Sequence, residues 1–175
     1  MRFIEIKPPR RKVVIITFIL ITNLLFTLFG FLIHISYAQS CSLFTVGFGL
    51  GGVFDDEQLT YSFIEYRPAY YFNILSPWIT LEKAEKELYI GMGLLFDIKL
   101  NDCWIFTPSF GVGYYDHNEG VDLGSLLEFR SSFEIARPFN NKSRLGVGFG
   151  HYSNANLGYR NPGLESLRIT YSIPF

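Results

Sequence analysis

The sequence has few charged residues and no excess of positive charge. Charged residues make up 18% of the 175 positions and hydrophobic residues 49%, which excludes a disordered chain. Five of the 15 basic residues precede position 39, so the rest of the chain holds 10 basic and 15 acidic residues and carries a net charge of −5. Nucleic-acid binding requires a basic surface, and we therefore expect no nucleic-acid partner.

The sequence also has only two cysteines, Cys41 and Cys103. Neither has a second cysteine or a histidine close to it in sequence, so neither belongs to a zinc site or a redox motif. We expect no metal and no other cofactor. Both residues lie near the starts of predicted strands, and two unpaired small residues are the simpler interpretation. A disulfide between them stays open for a protein exported to an oxidising compartment.

Long hydrophobic runs are lacking beyond the first 38 residues. A basic cluster at positions 10–12 precedes an apolar run over 13–35, and Ser36-Tyr37-Ala38 follows with small residues where signal peptidase cleaves. This order predicts a secretory signal peptide over 1–38 and a mature domain over 39–175. A retained transmembrane helix is the alternative, because the run is long enough to span a bilayer.

Beyond position 39 the hydrophobic pattern has a period of two, which is typical of strands with one apolar face. Aromatic residues reach 18% of the chain and 16 residues are glycine, a composition that suits strands. The clearest alternation runs over 88–100. The last alternates from Leu167 to the terminal Phe175, a pattern like the C-terminal strand of bacterial outer-membrane barrels. Strands are predicted over 42–53, 59–70, 73–82, 88–100, 103–116, 125–138, 143–153 and 167–175.

These strands predict an all-β protein, an eight-stranded antiparallel transmembrane β-barrel. A membrane-spanning strand needs about 9–11 residues, and bacterial barrels begin at eight strands. Such a narrow barrel is filled by its own side chains, so we expect no pore. A soluble eight-stranded barrel of the lipocalin type is the alternative, and its apolar faces would point inward instead of outward.

One cluster of residues suggests chemistry. Alternation places His151 and Ser153 on one strand face, roughly 6–7 Å apart, and Glu165 begins the next strand. A serine becomes a nucleophile when a base accepts its proton, and a third group must orient that base. We therefore predict Ser153 as nucleophile, His151 as base and Glu165 as the orienting carboxylate. Asn154, Asn161 and the backbone N–H near Gly163 are candidates for the oxyanion hole.

The motif His-x-Ser-Asn at 151–154, a short loop with Asn161-Pro162-Gly163, and then Glu165 before a closing strand resembles the lipid A 3-O-deacylase family. The resemblance covers the last quarter of the chain. It implies an outer-membrane barrel whose Ser-His-Glu triad faces the membrane and hydrolyses the ester at position 3 of lipid A. Lipopolysaccharide and outer-membrane lipid are then the expected partners, and a homodimer stays open.

Two other functions stay open on the sequence. The protein could be a small non-catalytic barrel that acts in adhesion or stabilises the membrane. In that case Ser153, His151 and Glu165 need not lie close together. An ester hydrolase of the same fold could act on phospholipid instead. The acidic run Asp55-Asp56-Glu57 could bind a cation that bridges lipopolysaccharide, although an acidic surface loop is the commoner arrangement.

Overall fold

The computed structural model describes residues 41–55, 58–69 and 75–175. Within these ranges no helix has the length and hydropathy to cross a bilayer. The predicted signal peptide over 1–38, together with Asp56, Glu57 and positions 70–74, lies outside the described residues. The strands are β1 (Leu43–Gly51), β2 (Leu59–Arg67), β3 (Ser76–Lys83), β4 (Leu88–Leu95), β5 (Ile98–Lys99), β6 (Ile105–Asp116), β7 (Leu127–Pro138), β8 (Arg144–Ser153) and β9 (Leu164–Pro174).

Eight of these strands form a closed antiparallel barrel. Each long strand pairs with its neighbour in the chain, β1 also pairs with β9, and β4 pairs with β6. Strand β5 has only two residues and extends the sheet beside β6. The prediction of an eight-stranded barrel is therefore confirmed, and most strand limits agree to within a few residues.

The prediction of one continuous strand over 88–100 is wrong. Strand β4 ends at Leu95, and Asp97 is turned into the barrel, where it is only 6% exposed. Its two carboxylate oxygens accept hydrogen bonds from the Thr107 hydroxyl and the Arg144 guanidinium, each at 2.6 Å. These partners come from β6 and β8, and the alternation of one segment contains no information about them.

The apolar face of the barrel points outward. Phe48 is 70% exposed and Ile169 61%, whereas Arg130 and Glu65 inside the barrel are 1% and 2% exposed. A soluble barrel has the opposite arrangement, because its ligand cavity or core is apolar and its outer surface is polar and faces water. The structure therefore excludes the lipocalin alternative and agrees with a wall that contacts lipid.

Ion pairs fill the interior. Arg67 pairs with Glu65 and with Glu134, and Arg130 pairs with Glu65 and Glu82 at 2.7 and 2.6 Å. A charge inside a narrow barrel must be paired, because it has left water. This connected network spans the barrel and agrees with the expectation that no pore exists.

Inward-facing glycines leave room for these side chains. A side chain at Gly49 would overlap the Tyr61 ring, which lies directly across the β1–β2 ladder. A Cβ at Gly148 would lie 3.1 Å from the Arg168 side chain. The alternating glycines Gly146, Gly148 and Gly150 of β8 thus make space in the barrel.

Candidate active site

The candidate site lies on the outer wall, where β8 ends and β9 begins. This end of the barrel is opposite to the one that holds Phe175, because β9 runs away from the site. Along β8 the even-numbered residues are buried and the odd-numbered ones are exposed or half-buried. His151 and Ser153 therefore share the outer face with Leu145, Val147 and Phe149, as predicted.

His151 and Glu165 contact each other directly. They are register partners across the β8–β9 ladder, and His151 Nδ1 lies 3.0 Å from Glu165 Oε1. Both side chains are partly exposed on the outer wall, at 43% and 28%. A carboxylate beside Nδ1 favours the tautomer in which Nδ1 carries the proton, so Nε2 is left as an acceptor.

Gly163 determines how the His151 ring can lie. It directly precedes β9, and continuing the β8–β9 register places it opposite Ser153. A Cβ built on Gly163 would be 2.9 Å from His151 Cε1, so the ring leans along the wall towards the Ser153 end. The φ angle of Gly163 is +76°, a conformation that favours glycine. Both the space and the backbone angle therefore depend on glycine at this position.

The Ser153 hydroxyl is available to a substrate. Among the described residues no hydrogen bond involves its Oγ, and the residue is half-buried. Its register partner on β7 is Phe129, which stacks on Phe110 with ring centroids 6.0 Å apart. Ser153 thus lies at the end of β8, with the start of β9 on one side and an aromatic surface on β6 and β7 on the other.

Asn154 is fully buried and joins two loops. Its amide nitrogen donates to the backbone oxygens of Leu123 and Arg160, each at 2.8 Å, and lies 3.3 Å from Glu128 Oε1. Its backbone N–H donates to Asn161 Oδ1 at 3.0 Å. Both Asn154 donors are therefore engaged in holding the β8–β9 loop, and neither points to Ser153 as a free donor.

The β6–β7 connection packs against the loop that carries the motif. Asp122 accepts a hydrogen bond from the Tyr159 hydroxyl and pairs with Arg160 at 3.3 Å, and Tyr159 N donates to Gly124 O at 3.2 Å. The Tyr159 hydrogen bond lowers the pKa of the Asp122 carboxyl, with smaller contributions from the Gly124 N–H and the Arg160 charge. Sequence reasoning did not identify this partner loop, because its contacts are backbone oxygens and one carboxylate that belong to no recognised motif.

Metal-binding clusters and disulfides are lacking in the part of the chain that the structure describes. No group of three or more His, Cys, Asp or Glu side chains is arranged to hold a metal ion there. Cys41 is half-buried and Cys103 is exposed, and both are free thiols.

Comparisons with known proteins match this chain to a family and to a curated relative. The family model described as lipid A 3-O-deacylase (PagL) matches residues 46–174. The lipid A deacylase PagL of Pseudomonas aeruginosa is 42% identical over 53 residues, and the aligned part spans 30% of this chain and 31% of the relative.

Two solved structures share the fold. That of the outer-membrane enzyme PagL has a TM-score of 0.62 at 18% identity, covering 77% of this chain and 99% of the other. Neisserial surface protein A has a TM-score of 0.57 at 11% identity, covering 77% and 96%. The family model matches residues 46–174, which is most of this chain, and the chain therefore belongs to the lipid A 3-O-deacylase (PagL) family.

Proposed function

We propose that this protein lies in the outer membrane and hydrolyses the ester-linked acyl chain at position 3 of lipid A in lipopolysaccharide. The observation that carries the proposal is the contact between His151 and Glu165 on the outer wall, one strand repeat from Ser153. Membership in the family supports the reaction and the substrate.

The position of these polar residues favours an enzyme over a non-catalytic barrel. Ionisable side chains that face hydrocarbon are costly, and they are usually retained for function. Around the site the wall is apolar, with Phe149 and Leu167 directly below the His151–Glu165 pair in the β8–β9 register. A barrel that only stabilised the membrane would be more stable with aliphatic residues at these positions.

In the first half of the reaction Ser153 Oγ attacks the ester carbonyl carbon. His151 Nε2 accepts the hydroxyl proton, and Glu165 stabilises the imidazolium that forms. The carbonyl oxygen becomes an oxyanion, for which the Gly163 N–H and the Asn161 side-chain amide are the candidate donors. When the tetrahedral intermediate collapses, the C–O bond to the sugar breaks and His151 returns the proton to the sugar oxygen.

In the second half the acyl group is removed from Ser153. His151 accepts a proton from water as the water oxygen attacks the acyl carbonyl carbon, and when the bond to Ser153 Oγ breaks His151 returns the proton to that oxygen. The products are a lipid A with one free hydroxyl and one free fatty acid. Because the site is on the wall and not in a cavity, the substrate reaches it by lateral diffusion in the membrane.

Mass spectrometry of lipid A from cells that produce the protein tests this proposal, with Ser153→Ala as the matched variant. We expect the wild type to remove one 3-hydroxyacyl group from lipid A and Ser153→Ala to remove none. Unchanged lipid A with both proteins, folded and in the outer membrane and also after purification into detergent, would instead support a structural barrel. Loss of acyl chains from phospholipid alone would support the phospholipase alternative.

A further inference from the structure

Glu165 contacts His151 on the outer wall, and any further support for the lipid-facing residues must come through the barrel wall. Hydrocarbon offers no hydrogen-bond partner, so no solvent or lipid group holds His151 and Ser153 from outside. Catalytic side chains work only within a narrow range of positions. The residue between these two, Tyr152, points inward because side chains alternate along a strand.

Tyr152 is attached to the charge network inside the barrel. It is 4% exposed, and its hydroxyl donates to Glu82 Oε2 at 2.6 Å. The other oxygen of Glu82 accepts from Arg130 at 2.6 Å, and Arg130 also contacts Glu65 at 2.7 Å. A hydrogen bond to a carboxylate is short and strong, and here it joins β8 to β3 across the interior.

Aromatic packing restrains the same side chain. The Tyr152 ring meets the Tyr89 ring edge to face, with centroids 5.3 Å apart, in a cluster with Tyr115, Leu123 and Leu164. Packing against neighbouring rings allows the Tyr152 ring to slide along its own plane. The hydrogen bond to Glu82 fixes how far the ring extends into the barrel. The hydroxyl therefore adds a directional restraint that packing does not supply.

We propose that Tyr152 is a positioning residue, which orients Ser153 and His151 on the outer wall through its hydrogen bond to Glu82. This inference rests on the proposed function. A peptide plane links Tyr152 to each of the two residues, so a rotation of the β8 end that moves the tyrosine inward or outward also moves both catalytic side chains. The Tyr152–Glu82 bond opposes this rotation.

The test compares Tyr152→Phe with Tyr89→Phe in the full-length protein in detergent, with purified lipopolysaccharide as substrate. Tyr89 is an equally good structural control, because it is 3% exposed in the same cluster and its hydroxyl has no hydrogen-bond partner. We expect Tyr152→Phe to lower kcat by about 10- to 100-fold relative to Tyr89→Phe, with a similar KM, in a barrel that is less stable than Tyr89→Phe but still folded at the assay temperature. Equal kcat values for the two variants would overturn the inference.

A second comparison tests whether the hydroxyl acts through Glu82. In Glu82→Ala the acceptor oxygen is lost while Arg130 keeps its contact with Glu65, so adding Tyr152→Phe should lower kcat less than it does in the wild type. Equal fold-changes in both backgrounds would refute the role of this contact.

Wild type and Ser153→Ala are measured in the same assay. If the wild type has no activity or Ser153→Ala keeps it, the proposed function fails and the inference fails with it. If both behave as proposed but Tyr152→Phe matches its control, only the inference fails.

Discussion

Replacing Gly163 by alanine should separate catalysis from folding. The added Cβ would lie 2.9 Å from His151 Cε1, whereas ordinary contacts begin near 3.4 Å, so the ring must move by about 0.5 Å. The backbone also resists the change, because a φ of +76° costs a residue with a side chain roughly 1–2 kcal/mol. The barrel has enough other contacts to absorb this cost.

The displacement of the ring should affect turnover more than binding. Moving the base by a fraction of an ångström shifts it from the position in which it can accept the Ser153 proton, and we expect kcat to fall by about 10- to 100-fold with little change in KM. Release of fatty acid from purified lipopolysaccharide measures this. Gly52→Ala is the control for backbone strain, because Gly52 has a φ of +70°. Full activity of Gly163→Ala, with folded protein, would show that the His151 ring does not need this position.

Three further predictions follow from the structure. Glu165→Gln should lower kcat by roughly 10²- to 10⁴-fold while the barrel still folds, because the amide no longer stabilises the imidazolium; the same release assay measures it, and near-normal turnover would remove Glu165 from the mechanism. Ile169→Arg, at an outward position in the middle of β9, should destabilise the barrel by about 2–4 kcal/mol in lipid vesicles, whereas Phe175→Arg at the strand end should cost much less; equal unfolding curves would contradict a lipid-facing wall. Asp122→Asn should weaken the contact between the two loops at neutral pH. Because the folded-state pKa of Asp122 is lowered, its contribution is present above the ordinary value of 3.8 and is lost only as the pH falls through the lowered pKa. The wild type should thus unfold at a higher temperature than the variant throughout about pH 5 to 8. The size of the difference varies with the charge of His117, whose Nε2 lies 3.7 Å from Asp122 Oδ1, and equal unfolding temperatures in this range would refute the assignment.

Local patterns in the sequence were sufficient for the strands and for the composition of the site. A period of two is a property of each segment alone, so β6, β7 and β8 could be located to within a few residues. The same parity placed His151 and Ser153 on the apolar face with Val147 and Phe149. The motif that ends in Glu165 then identified the family, which the comparison of residues 46–174 confirmed.

Whether the apolar face points outward or inward could be seen only in the closed barrel. Alternation is the same in a soluble barrel and in a membrane barrel, and only closure showed that Phe48 and Ile169 point outward. The break after Leu95 could not be predicted for a related reason. Just past the break Asp97 accepts a hydrogen bond from Arg144, a residue of a distant strand, and the local pattern carries no sign of that contact.

The sequence by itself determined the strand pattern, the fold class and the residues of the proposed triad, because these depend on neighbours in the chain. Only the tertiary structure showed which contacts surround these residues. The register of β8 against β9 brings His151 to Glu165, and the network inside the barrel connects Tyr152 to Glu82, 70 residues away. Such contacts depend on strand pairing and closure, which join residues that no local pattern relates.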